Sequence, residues 1–419
     1  MVTEASTSSG NTPRVRVESV DAFRGLTIMV MVFVIAVAAA DYRPLPQVMS
    51  WCGSLPVSTW NHAEVGWERF VEQKKASGLT DEQINQLPEA SLKNVGLTAT
   101  DLVAPFFVFI VGIAIPLSRN RRGREWWSHV MVRTIMLILA GVVYISLILG
   151  LSWWWGILQA IGVAYFMGAA SMKLSRAGRW LAIFLLAAFH ILMSHYFVWW
   201  LRFGDSPDPF WTISQLHGSW AKPLTIHCRP WVSLSYGIMT MIGVVLGEVV
   251  GRGDRKAIVR SALLVGSIFT AAGFALHSVG LMTGATELCF NKPDVTASYA
   301  LASSGLGAFV FLVLYYLIDV RGWKRWATPL RVFGANALLA YFMQIIMRIF
   351  FRALHVETLF AAQPNDALRQ WAALFPSPVW SSLFLDRSGY HGVLWGLIWT
   401  LCLWLIVLYC NKRNIYWKL

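Results

Sequence analysis

The chain has 419 residues, of which 56% are hydrophobic and 14% charged, and its mean hydropathy is +0.54. A soluble globular domain carries about 25% charged residues, so this composition excludes an ordinary soluble enzyme and predicts an all-α, polytopic membrane protein. The net charge of +13 would point to nucleic acid in a soluble chain. Here well over half of the 35 Lys and Arg fall in or beside segments assigned to one side of the membrane. That is the positive-inside pattern, and no nucleic-acid partner is needed.

Residues 1–13 are polar and read as a disordered tail. A single bundle is expected over 14–419. Arg14, Arg16 and Arg24 precede an apolar run to Ala40, the first membrane helix. Its Ala-rich end also has the small-residue pattern of a signal-peptide cleavage site, which is the minor alternative. An outer loop, 41–97, carries Thr80-Asp81-Glu82-Gln83, which fits a capping box and predicts short helices there.

Further helices are expected at about 101–118, 130–150, 155–172, 179–200, 230–250, 258–283, 297–319, 329–352 and 392–410. Each is long enough to cross about 30 Å of hydrocarbon. Basic clusters follow every second helix: Arg119 to Arg124, Lys173 to Arg179, Arg252 to Lys256, Arg321 to Arg325, and Lys412 with Arg413. The count is therefore about ten helices with both termini cytoplasmic and outer loops at 41–97, 201–229 and 353–391. The 22 Trp suit aromatic belts at two interfaces. Five Cys show no metal spacing. Cys52, Cys228 and Cys289 fall on the expected outer side, where a disulfide can form.

Polar residues in this setting are expensive and mark candidate sites. Thr98 and Asp101 open the second helix. The local reading is a capping box in which Asp101 answers Thr98. Pro105 has no N–H, so the carbonyl of Asp101 loses its helical donor and polar backbone is exposed beside a carboxylate. His62 lies in the outer loop between Trp60 and Trp67. Alone it reads as a solvated side chain, yet imidazole is also the group best suited to moving protons near neutral pH. Asp21 and Arg24 share one face of the first helix, as an interfacial ion pair would. Arg133, Gln159, His190, His195, Glu248, His277, Asn336, Gln344 and Arg348 lie within helices. For each of them, snorkelling or helix–helix hydrogen bonding competes with function. Arg133, near the expected cytoplasmic end of its helix, is the best single candidate for a phosphate partner.

Four stretches carry a family likeness: RVESVDAFRGLTIMVMVFV (Arg16 to Val34), His62-Ala63 with GLTATDLVAPFFVFIVGIAIPLS (Gly96 to Ser118), GILQAIGVAYF (Gly156 to Phe166), and GANALLAY (Gly334 to Tyr341) with the tail NKRNIYWKL (Asn411 to Leu419). On these the chain resembles the heparan-alpha-glucosaminide N-acetyltransferase family and its bacterial NagX-type relatives, within the broader YeiB-type transmembrane acyltransferases. It departs from that pattern in four places. His62 lies about 33 residues before Gly96, Ile35 stands for an expected asparagine, Ala160 for an arginine, and Arg229-Pro230-Trp231 for an acidic element.

The resemblance implies a transmembrane acyltransferase. An acetyl group would move from cytoplasmic acetyl-CoA to an extracytoplasmic amino sugar or glycan. His62 would be the general base, with Asp101 orienting it or the acceptor. Arg133, Asp21, Arg24, Gln159 and Asn336 would be donor-binding residues. No metal is expected. A homodimer and the bacterial inner membrane complete the expectation. Two alternatives stay open: a sugar or small-solute permease sharing the fold, and a structural partner in an envelope complex.

Overall fold

In a computed structural model the described residues are 17–39, 48–49, 56–57, 63–87, 95–149, 155–196, 233–292, 294–353 and 390–417. His62, Cys52, Cys228, the tail 1–13, and nearly all of the loops 201–229 and 353–391 lie outside them. Numbered in chain order, the helices are α1 (Glu18–Ala39), α2 (Ala63–Ala76), α3 (Asp81–Asn85), α4 (Val103–Arg122), α5 (Trp126–Leu149), α6 (Ile157–Ser171) and α7 (Arg176–Tyr196). They continue with α8 (Ser233–Arg252), α9 (Arg255–Thr283), α10 (Ala297–Tyr315), α11 (Thr328–Ala335), α12 (Ala337–Ala353) and α13 (Tyr390–Lys412). Val48–Met49 and Pro56–Val57 form a two-residue antiparallel pair.

Six of these helices are long and apolar enough to span a bilayer: α1, α5, α7, α8, α9, and α10 with its extension to Val320. Three shorter apolar helices, within α4, α6 and α13, sit among them. The ninth expected helix is not continuous. It is α11 and α12, bent by 85° at Asn336. This is an all-α, membrane-embedded bundle, and its surface supports that reading. Large apolar side chains face outward at Ile135 and Leu139 on α5, Phe184 and Leu185 on α7, and Leu401 and Leu405 on α13. A bilayer solvates such residues, whereas water would not.

The interior is organised around α4 and α8. Nearly every residue of α8 is buried. The two helices approach through glycine: a Cβ on Gly112 would lie 2.2 Å from the Thr240 carbonyl oxygen. Small residues let membrane helices pack backbone to backbone in this way. A second crossing joins α1 to α11, where a Cβ on Gly334 would lie 1.9 Å from the Asp21 carbonyl oxygen.

The expected loop helices are present as α2 and α3. Thr80 caps α3 in a capping box: its hydroxyl accepts from the Gln83 amide, and the Gln83 side-chain oxygen accepts from the Thr80 amide. The basic cluster residues gather at one end of the bundle. Lys324 reaches Glu18 at the start of α1, Arg179 at the start of α7 reaches Glu248 near the end of α8, and Lys173 after α6 lies over Trp127 at the start of α5. We call this the basic end.

Candidate functional site: a cavity along one face of α4 and a buried ion pair on the other

A cavity of about 700 Å³ lies between α1, α4, α5, α6 and the α11–α12 break. That is within the range of small-molecule sites. One stripe of α4 forms its long wall: Val103, Ala104, Phe107, Val111, Ala114, Leu117 and Ser118. The spacing is that of a single helix face. At a rise of 1.5 Å per residue this wall runs for about 22 Å.

The two ends of the cavity differ chemically. Toward the basic end the lining includes Asp21, Arg24, Ser118, His129 and Arg133. Toward the other end it includes Ile157, Leu158, Leu338 and Tyr341. Asp21 and Arg24 lie 3.8 Å apart. The Arg133 guanidinium sits 4.8 Å from the centre of the Tyr165 ring, and its Nε is buried with no hydrogen-bond partner among the described residues. A ring face and an apolar wall leave such a cation short of acceptors, which an incoming anionic oxygen would supply.

Asn336 stands behind this wall rather than in it. Its side-chain nitrogen donates to Asn411 and to the Ile415 carbonyl, and its oxygen accepts from the Trp417 amide. Asn411 in turn donates to the Val332 carbonyl. The two stretches GANALLAY and NKRNIYWKL are thus tied to each other, and the tie brings Tyr416 and Trp417 into the cavity lining. Gln159 is also absent from the lining. It is buried, and its side-chain oxygen accepts from the Gly156 amide at the start of α6. The geometry therefore places Asp21, Arg24 and Arg133 on one cavity, and gives Asn336 and Gln159 the work of holding backbone.

Asp101 faces the other way. It is fully buried, and one carboxylate oxygen accepts from both the Thr98 amide and the Thr98 hydroxyl, at 3.0 and 2.8 Å. The other oxygen lies 3.6 Å from the Lys292 ammonium. The expected capping box is therefore only half formed. Asp101 answers the Thr98 amide, but the Thr98 hydroxyl is turned toward the carboxylate, and α4 begins later, at Val103. The exposed backbone expected from Pro105 is not found: Asp101 is buried, and its carbonyl accepts from the Tyr299 hydroxyl of α10 because that side chain packs over it.

Around this pair residues 289–292 and 294–296 fold into the bundle. Gly96 donates to the Phe290 carbonyl, and Val95 pairs with Asn291. Phe290 stacks on His277 at 4.3 Å and donates its amide to His277 Nδ1. His190 bonds through Nε2 to the Asp294 carbonyl, and both residues are buried. Lys292, Asp294 and Tyr299 were not among the residues singled out from the sequence. One signal for Lys292 was available: it is a lysine in a short connection away from the basic clusters, where the positive-inside expectation makes such a residue stand out.

Of the other polar helix residues, Glu248 and His195 have ionic partners, whereas both polar atoms of the buried Gln344 side chain have no hydrogen-bond partner among the described residues. Arg179 meets Glu248 at 2.7 Å, and His195 meets Glu287 at 2.6 Å. Cys289 is buried as a free thiol, so the disulfide considered for it is not formed with any described residue.

No family model matches the chain, and no curated protein matches it.

Proposed function

We propose that this protein is a membrane acyltransferase that takes an acetyl group from acetyl-CoA at the basic, cytoplasmic end and passes it to an amino sugar or glycan on the far side. One observation carries this reading: the cavity along α4 is cationic at one end, apolar at the other, and long enough for a pantetheine arm. Arg24 and Arg133 suit phosphate oxygens, and the Tyr341 end suits the thioester.

In the reaction the acceptor nitrogen or oxygen attacks the thioester carbon. The C–S bond breaks, and the acceptor proton passes through a base to the departing thiol. His62 is the proposed base and Asp101 the group that orients it or the acceptor. A covalent acetyl-histidine is the competing route. Asp101 sits two positions before the first cavity residue of α4, at the apolar end, which is where the acceptor must arrive.

Detergent-purified protein should show an acetyl-CoA-dependent thermal shift and should transfer or hydrolyse the acetyl group. The His62→Ala protein should keep the shift and lose turnover. Full turnover in that variant removes His62 from the mechanism. Absence of any acetyl-CoA shift in the wild type removes the cavity assignment.

A permease is the second reading, and the break at Asn336 favours it, because discontinuous helices line the binding sites of many transporters. Uptake of labelled amino sugar into liposomes without acetyl-CoA would decide for it.

A further inference from the structure

Most described cations at the basic end have partners on the protein. Lys324 and Arg331 both reach Glu18, Arg179 reaches Glu248, and Arg119 lies over Trp126. Arg176, Arg252, Arg325 and Lys412 stand singly with no ion pair among the described residues, and three further cations converge on one groove. Arg255, Lys256 and Arg260, on the first turns of α9, form no ion pair among the described residues, and all three are exposed. They line a groove of about 540 Å³ on the outside of the bundle, together with Val259, Leu263, Leu264, Tyr316 and Val320.

The groove has two chemistries in a fixed order. The cations sit at the helix start. One and two turns further on, at the spacing of a single face, come Val259, then Leu263 and Leu264, the latter two 45% and 50% exposed. The opposite wall is a π-helical turn, Tyr316–Val320, at the end of α10. Such turns are rare and concentrate at functional sites. This one presents Tyr316, whose hydroxyl accepts from the Arg321 Nε at 3.0 Å.

Nearby carboxylates are used elsewhere. Asp254 caps α9 by accepting from the Lys256 and Ala257 amides, and Asp319 accepts from the Glu18 and Ser19 amides. An unpaired cationic rim above an apolar, outward-facing trough matches one molecule of the surrounding phase. Positive-inside topology accounts for cations at this end, but not for three unpaired ones converging on a concave apolar groove.

We infer that the groove between α9 and the π-turn of α10 is a binding site for an anionic phospholipid of the leaflet at the basic end. The headgroup phosphate lies among Arg255, Lys256 and Arg260, and one acyl chain runs along Leu263 and Leu264. The site is separate from the α4 cavity and does not depend on acyl transfer.

The test is native mass spectrometry of the full-length protein released from mixed detergent micelles containing phosphatidylglycerol and phosphatidylcholine. The wild type should retain phosphatidylglycerol in preference to phosphatidylcholine. Each Arg or Lys removed should weaken retention about fivefold, and the triple Arg255→Gln, Lys256→Gln, Arg260→Gln variant at least about twentyfold. Thermal unfolding in detergent checks that the triple variant is folded. If it is not, the single variants provide the same readout. Lys412→Gln with Arg413→Gln, at the same end but outside the groove, should retain lipid like the wild type.

Equal retention of the two lipids, or an equal loss in the Lys412 and Arg413 variant, overturns the site. Competition by glycerophosphoglycerol, which lacks acyl chains, as strong as that by the lipid removes the apolar half. A dimer that dissociates in the triple variant without any change in bound lipid assigns the groove to a second copy instead.

Discussion

The two faces of α4 are built for different tasks. The face from Val103 to Ser118 lines a cavity and leaves a guanidinium, Arg133, short of acceptors. The turn at Asp101, just before α4, meets a packed wall in which the carboxylate oxygens are met by Thr98 and Lys292 and the carbonyl by Tyr299. The lesson is that burial of charge has two signatures. Where partners are supplied by the protein, the charge holds elements together. Where one side is open to a cavity, the charge is available to a ligand. By that criterion the Asp101–Lys292 pair holds elements together at the non-basic end, and the proposed role of Asp101 toward His62 or the acceptor comes in addition to that hold; Arg133, at the other end, has an Nε without an acceptor among the described residues.

The comparison is best broken by variants that separate stability from binding. The largest effect is expected from Gly334→Leu. A side chain there meets the α1 backbone, so the α1–α11 crossing is lost and folded protein should not be recovered after detergent extraction, as judged by size-exclusion chromatography. Asp101→Ala comes next. Removing one partner of a buried ion pair costs about 3–5 kcal/mol, so the thermal unfolding midpoint should fall sharply. Asp101→Leu combined with Lys292→Met should recover much of the loss. Any acetyl-CoA shift measured below that lower midpoint should persist, and its loss in the double variant would merge the two faces into one site.

Arg133→Ala should do the reverse. Losing a hydrogen bond to a charged group costs about 1.5–3 kcal/mol, so acetyl-CoA binding should weaken about 10- to 100-fold by calorimetry with little change in unfolding. The smallest effect is expected at α3, on neither face. Thr80→Ala should cost about 1 kcal/mol of local stability, visible as faster hydrogen exchange at the Gln83 amide and nowhere in the cavity.

Hydropathy located the six spanning helices to within a few residues, because a bilayer requires a continuous apolar run. It located Asp21, Arg24 and Arg133 as candidates for the same reason: an ionisable group in such a run is visible against its surroundings. The break at Asn336 was not visible. Gly334-Ala335-Asn336-Ala337 contains no proline, and the bend is secured by bonds from Asn411, Ile415 and Trp417, some 75 to 81 residues away. Local sequence carries no trace of a partner so distant. Lys292 and Asp294 were missed for a related reason. They lie in a short polar connection that reads as a surface turn until the pairing of Phe290 and Asn291 with Gly96 and Val95 is known. Gln159 and Asn336 were identified as polar residues in helices, but sequence does not say whether an amide faces a cavity or a neighbouring backbone.

The 85° break has a mechanical consequence. A continuous helix transmits displacement along its axis like a rod, whereas one interrupted at a single residue behaves as a joint. The inner arm, α11, is clamped to α1 by backbone contact and cannot slide. The other arm, α12, carries Tyr341 stacked on Tyr144 at 4.2 Å and meets α1 through the side chains of Ala340 and Met347 rather than through glycine backbone. The bend at Asn336, tied to Asn411, Ile415 and Trp417, therefore fixes the direction in which α12 leaves the cationic end and sets where Tyr341 closes the apolar one.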